Sequence, residues 1–264
     1  MINDTIEIED NGFKAKLTTY IVDNTIDQEK TRPLVLVCPG GGYIGTASKE
    51  GEPIALKMNS FGLHACVLNY SCAPAQFPTS LNQLAKSVKL VRESAKKWHV
   101  DPEKIVVLGF SAGGHLAASL GTFWNKDFVL RELKVNQEEI KPNALVLSYP
   151  VITSGEFAHQ DSFKNLLGDR VKDCNWRELL SLEKQVDETM PKSFVWHTFE
   201  DQAVPVENSL LLVNAMRKAK VAFSFHVFEK GHHGLALGTM ETGEVVTEIQ
   251  PWIRLAAEWI LKNI

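Results

Sequence analysis

The chain has 264 residues, 44% of them apolar and 23% charged, with a net charge of −4. That length and apolar share suit one large α/β domain spanning 1–264, and no shift in composition divides it. The mild charge, without a basic cluster, argues against a nucleic-acid or anionic-membrane surface. No apolar run reaches the ~18 residues of a membrane span, and Met1-Ile2-Asn3-Asp4-Thr5 does not start a leader with a charged and then an apolar region. Cys38, Cys66, Cys72 and Cys174 lack metal-ligand spacing. The expectation is a cytoplasmic protein with reduced cysteines, needing no metal or cofactor.

In chain order, Ile6-Glu7-Ile8 and Ala15 to Val22 alternate weakly around Asn11-Gly12, as an antiparallel edge pair would. Leu34-Val35-Leu36-Val37-Cys38 is a continuous apolar run, suited to a strand buried on both faces. It runs into Pro39-Gly40-Gly41-Gly42-Tyr43, where glycines leave backbone amides unshielded. A phosphate cradle would need Gly-Lys-Ser/Thr or dinucleotide-loop spacing, and neither is present. Gly51 to Phe61 has helical spacing, and Ala65 to Tyr70 reads as the next strand. From Leu81 to Trp98 the apolar residues form one stripe at three-and-four spacing, which predicts a single helix. Asp101-Pro102 predicts a turn into a strand at Ile105 to Leu108.

Gly109-Phe110-Ser111-Ala112-Gly113 follows that strand, and a helix-forming stretch follows it in turn. Gly-x-Ser-x-Gly between strand and helix is a nucleophile elbow. The turn pushes the serine hydroxyl out above the sheet, and the glycines let strand and helix backbones pass closely. The Ala112 amide, at the helix start, is free to bond an anion. With Gly41 and Gly42 it forms a candidate oxyanion hole.

Further strands are predicted at Ala144 to Tyr149, Phe194 to Thr198 and Phe223 to Phe228, with helices at Glu207 to Lys218 and Thr247 to Leu261. Trp252, Ala256 and Trp259 share a face of the last helix and read as core contacts. Apolar residues near the C-terminus also leave a homo-oligomer open. Strands alternating with helices give a mostly parallel, eight-stranded sheet covered on both faces. Gly155 to Met190 reads as polar, irregular and longer than a plain crossover, so a lid-like insertion is expected over about 155–190.

A serine nucleophile needs a base, and the base an orienting carboxylate. Ligands of open α/β sheets gather at the carboxyl ends of the strands. There Phe199-Glu200-Asp201-Gln202-Ala203-Val204-Pro205 follows one predicted strand and Glu229-Lys230-Gly231-His232-His233-Gly234 the next. The order Ser, acid, His is the one this fold uses. Glu200 and Asp201 both qualify, and the turn Asp-Gln-Ala-Val-Pro favours Asp201. Chemistry alone leaves His232 and His233 open. His115, four residues after Ser111, is expected to be structural.

These segments, together with Glu50-Gly51-Glu52-Pro53, Asn69-Tyr70-Ser71 and Trp196-His197-Thr198, resemble the bacterial α/β-hydrolase esterases known as acetyl esterase, acetylxylan esterase or endo-1,4-β-xylanase-like lipase/esterase. The likeness runs from about Pro33 to the C-terminus. It implies an α/β-hydrolase fold and a serine carboxylesterase that removes short acyl groups, often acetyl from sugars. Gly-x-His-Gly selects His233, and the usual Asp-Asp stands here as Glu200-Asp201. Catalytic Ser111, Asp201 and His233, the amides of Gly41, Gly42 and Ala112, and substrate contacts from Tyr43 and Tyr70 are thus expected, with a small-molecule ester as substrate. No two carboxylates can be placed either side of a glycosidic bond. A thioesterase, a lipase or a small peptidase of the same fold is the alternative, and a non-catalytic ligand-binding pseudohydrolase stands further off.

Overall fold

The computed structural model describes residues 1–25, 27 and 29–264. Its sheet contains β1 (Thr5–Asp10), β2 (Phe13–Tyr20), β3 (Arg32–Cys38), β4 (His64–Asn69), β5 (Val100–Phe110), β6 (Ala144–Ser148), β7 (Ser193–Thr198) and β8 (Phe223–Phe228). They lie in the order β1-β2-β4-β3-β5-β6-β7-β8. The pairs β1–β2 and β2–β4 are antiparallel, and every later pair is parallel.

The central strands show why their apolar runs are continuous. In β3, Leu34, Leu36 and Cys38 enter one core, while Val35 and Val37 enter the other. In β5, Ile105 and Val107 face the first core, and Val106, Leu108 and Phe110 the second. A strand of period two with helices on both sides has no polar face to offer.

The helices are α1 (Glu52–Ser60), α2 (Thr79–Glu93), α3 (Ala95–Trp98), α4 (Ser111–Phe123), α5 (Asp127–Leu133), α6 (Gln137–Ile140), α7 (Gln160–Leu167), α8 (Cys174–Leu179), α9 (Glu207–Lys218) and α10 (Pro251–Asn263). α1 and α10 cover one face through Ile54, Met58, Trp252 and Ala256. α2, α4 and α9 cover the other through Leu84, Val88, Leu116 and Leu212.

Four expectations need correction. The stripe from Leu81 to Trp98 is two helices, because the chain departs from helical geometry at Ser94 and restarts at Ala95. The last helix starts at Pro251 rather than Thr247, since a proline suits the first helical position. Asp101-Pro102 lies inside β5 as an outward bulge. The pairing jumps from Arg32↔Val100 to Leu34↔Ile105, and the Asp101 carboxylate accepts the Glu103 amide at 3.0 Å. The stretch 155–190 is not irregular but contains α7 and α8. Phe163, Leu166 and Leu167 of α7 are buried, at the i, i+3, i+4 spacing that gives a short helix one apolar face.

Among the described residues no helix is long and apolar enough to cross a membrane.

Candidate active site

Ser111 is the first residue of α4, directly after β5, and its backbone is left-handed at φ +51°. The flanking glycines are required by space. A Cβ on Gly109 would lie 2.1 Å from the Gly113 carbonyl oxygen, and one on Gly113 would lie 2.1 Å from that of Cys38. β3, β5 and α4 thus meet at distances only glycine permits, and the serine side chain is directed above the sheet.

The structure brings Ser111, Asp201 and His233 together from the ends of β5, β7 and β8. Ser111 Oγ lies 2.8 Å from His233 Nε2, and His233 Nδ1 lies 2.6 Å from Asp201 Oδ2. A carboxylate only accepts, so Nδ1 carries the proton and donates to Asp201. That leaves Nε2 with the lone pair that accepts the serine hydroxyl. Asp201 is buried and also accepts the amides of Ala203 at 3.0 Å and Val204 at 2.9 Å through Oδ1. Burial alone would push its pKa up. The His197 ring beside it, the hydrogen bond from His233 and its charge, and the Val204 amide outweigh burial and hold the carboxyl well below its usual range. It stays ionised beside the imidazole.

The competing candidates point elsewhere. Glu200 is turned to solvent, where it meets Lys230 Nζ at 3.0 Å and the Gly231 amide at 3.2 Å. His232 is exposed, with Nε2 2.6 Å from Glu244 and Nδ1 2.7 Å from the His233 carbonyl. The Glu244 carboxylate holds its pKa up. His115 is fully buried, with Nδ1 2.9 Å from the Tyr43 hydroxyl and Nε2 3.0 Å from the Leu180 carbonyl. Burial lowers its pKa to about 4, so the ring is a neutral strut.

Tyr43 and Tyr70 do not line the cleft, contrary to expectation. They are 2% and 3% exposed, and the Tyr70 hydroxyl donates to the Pro39 carbonyl at 2.8 Å. An aromatic hydroxyl drawn into the core takes the nearest buried acceptor, so both rings support the glycine loop from beneath.

The amides of Gly41, Gly42 and Ala112 have no acceptor among the described residues. Gly41 and Gly42 border a cleft of about 530 Å³ that also contains Ser111 and His233, with Lys49, Glu50, His159 and Asp161 on its walls. α7 reaches the same loop, because Asn165 Nδ2 donates to the Gly42 carbonyl at 2.8 Å. A larger hollow, about 920 Å³, lies beside α1 and contains none of Ser111, Asp201 and His233.

Three neighbours escaped the sequence reading. His197 lies four residues before Asp201, packs 3.3 Å from its Oδ2 and donates from Nε2 to the Val204 carbonyl at 2.8 Å. His159 caps α7 and comes within reach of Gly42. Glu50 is buried against Gly40. The His-x-x-x-Asp spacing could have flagged His197, but nothing local marks the other two.

Residues 22–216 match the BD-FAE family. The chain is 37% identical over 241 residues to endo-1,4-beta-xylanase B of Butyrivibrio fibrisolvens, an alignment covering 87% of this chain and 36% of that one. It is 30% identical over 240 residues to acetylxylan esterase of Xylanibacter ruminicola, covering 89% of this chain and 46% of that one. The chain therefore spans less than half the length of both relatives. The crystal structure of an acetyl ester-xyloside bifunctional hydrolase from Caldicellulosiruptor lactoaceticus superposes with a TM-score of 0.85 at 37% identity, over 98% of this chain and 96% of that one. With its eight-stranded sheet and a serine, histidine and carboxylate aligned at the strand ends, the chain belongs to the BD-FAE family, within the α/β-hydrolase esterases.

Proposed function

We propose that the protein is a serine carboxylesterase that removes short acyl groups, acetyl foremost, from sugar alcohols. The observation that carries this reading is the hydrogen-bonded line Ser111–His233–Asp201 opening on the cleft. Ser111 Oγ attacks the ester carbonyl while His233 Nε2 takes its proton. The imidazolium, held by the ionised Asp201, returns that proton to the leaving alkoxide, and water then releases the acyl group by the same route. The oxyanion is received by the amides of Gly41, Gly42 and Ala112. Such a donor contributes about 3 kcal/mol to lowering the barrier.

Lys49, His159 and Asp161 on the cleft wall offer hydrogen-bond partners to a hydroxyl-rich alcohol, beside the apolar Ile44 and Ala47. The acetylxylan and acetyl ester activities in the relatives' names support the same class. We read α7 and α8 as a lid whose first turn borders this cleft.

The test is turnover of a set of 4-nitrophenyl esters from acetyl to octanoyl, with acetylated xylose alongside. Acetyl should be preferred. Ser111→Ala should lower kcat by about 10⁴-fold or more with the melting temperature kept. Activity retained in that variant removes Ser111 as nucleophile.

A further inference from the structure

Glu50 is a buried carboxylate that the mechanism above does not use. It is 2% exposed, and among the described residues no lysine or arginine pairs with it. Burial pushes its pKa up; the Tyr149 hydroxyl, the Gly40 amide and the His233 ring pull the other way. Such a group is costly unless its oxygens are bonded. Here both are. Oε2 accepts the Gly40 amide at 2.7 Å, and Oε1 accepts the Tyr149 hydroxyl at 2.7 Å.

Tyr149 extends the connection. Its oxygen accepts the Ala236 amide at 3.0 Å. Its ring lies 5.0 Å from that of His233, edge to face, and packs equally closely on Trp196. Its backbone is at φ +36°, a conformation an aromatic residue adopts only when its surroundings impose it. Gly40 directly precedes the oxyanion glycines. Ala236 follows His233 by three residues, and its carbonyl accepts the Trp252 indole at 2.8 Å, which anchors it to α10.

The path Gly40–Glu50–Tyr149–Ala236 thus joins two loops that follow different strands. We propose that Glu50 and Tyr149 are positioning residues: a buried brace that fixes the glycine amides at their working distance from the His233 imidazole. The proposal rests on the serine-esterase reading. In that reaction one loop must receive the carbonyl oxygen while the other delivers a proton to the same carbonyl carbon's leaving group. A misplacement of about 1 Å between such groups costs about 100-fold in rate. Loops at separate strand ends would otherwise move independently, and hydrogen bonds in a buried network resist that movement. Neither side chain needs to touch the reacting atoms.

Tyr149→Phe deletes the hydroxyl and keeps the ring. Its kcat for 4-nitrophenyl acetate should fall at least about tenfold while KM changes less than about threefold. Glu50→Gln keeps an acceptor for the Gly40 amide, and its NH₂ can face the Tyr149 oxygen. It should therefore lie between wild type and Glu50→Ala. Each kcat is expressed per site titrated with a serine-directed phosphonate, so unfolded protein is not counted. Kcat per titrated site within twofold of wild type in Tyr149→Phe overturns the brace, as does a change confined to KM. If the Glu50 variants do not fold, Tyr149→Phe decides alone. Wild type that titrates and turns over while Tyr149→Phe keeps its kcat rejects the brace only. Wild type that does neither rejects the esterase reading and the brace with it.

Discussion

Ser111, Asp201 and His233 are 122 and 32 residues apart along their two hydrogen bonds, yet each bond is under 3 Å. Adjacent histidines have opposite fates here. The His233 ring turns inward to Asp201, and that of His232 turns outward to Glu244. Under the proposed mechanism His233→Ala should lose about 10⁴-fold or more in kcat. His232→Ala should stay within about threefold, because an exposed ion pair contributes little. Measuring both on an acetyl ester checks the assignment, and the reverse pattern would transfer the base to His232. Side-chain chemistry alone leaves the two histidines of Gly-His-His-Gly equivalent; the resemblance of Gly-x-His-Gly to the esterase motif selects His233, and the physical difference lies in which partner each ring meets. The role of Glu50 is not legible in its neighbours either. Glu50 finds Tyr149 99 positions away.

At the scale of the elements, the elbow is the most constrained junction. β3, β5 and α4 meet where Gly113 faces the Cys38 and Pro39 carbonyls. Gly113→Ala should destabilise the protein by about 3 kcal/mol, because the obstacle is backbone that cannot rotate aside. A denaturant titration with an unchanged midpoint would show that this junction yields. Spacing in the sequence reveals this junction because the close approach excludes every side chain. It does not reveal α7 and α8. With 8 and 6 residues, they show too few turns for periodicity to separate them from loop. Their helices are stabilised by what they pack on, including the contact of Asn165 with the Gly42 carbonyl.

For the molecule as a whole, the buried neutral His115 makes stability depend on pH. Unfolded, its ring takes a proton near the ordinary value of 6.5; folded, burial delays that to about 4. Between these values the unfolded chain binds more protons, so stability falls as pH drops from about 6.5 to 4 and the effect is complete below 4. The effect is of order 3 kcal/mol. His64, also lowered to about 4 chiefly by burial, acts with the same sign. Melting temperature followed from pH 7.5 to 4 should decline less steeply in His115→Asn than in wild type. Equal slopes would mean that the ring takes a proton as readily in the folded as in the unfolded state.

The layered architecture and the identity of the elbow are legible in the amino-acid order. Apolar period and glycine spacing are local, and each is legible within about ten residues. The Gly-x-His-Gly motif points to His233, but it takes the packing of distant elements to set Tyr43 and Tyr70 in support of the glycine loop rather than on the cleft wall, and to join two loops through Glu50 and Tyr149. A polar side chain in a core goes to whichever partner satisfies it, and that partner is brought near by the packing of distant strands, not by its neighbours in the chain.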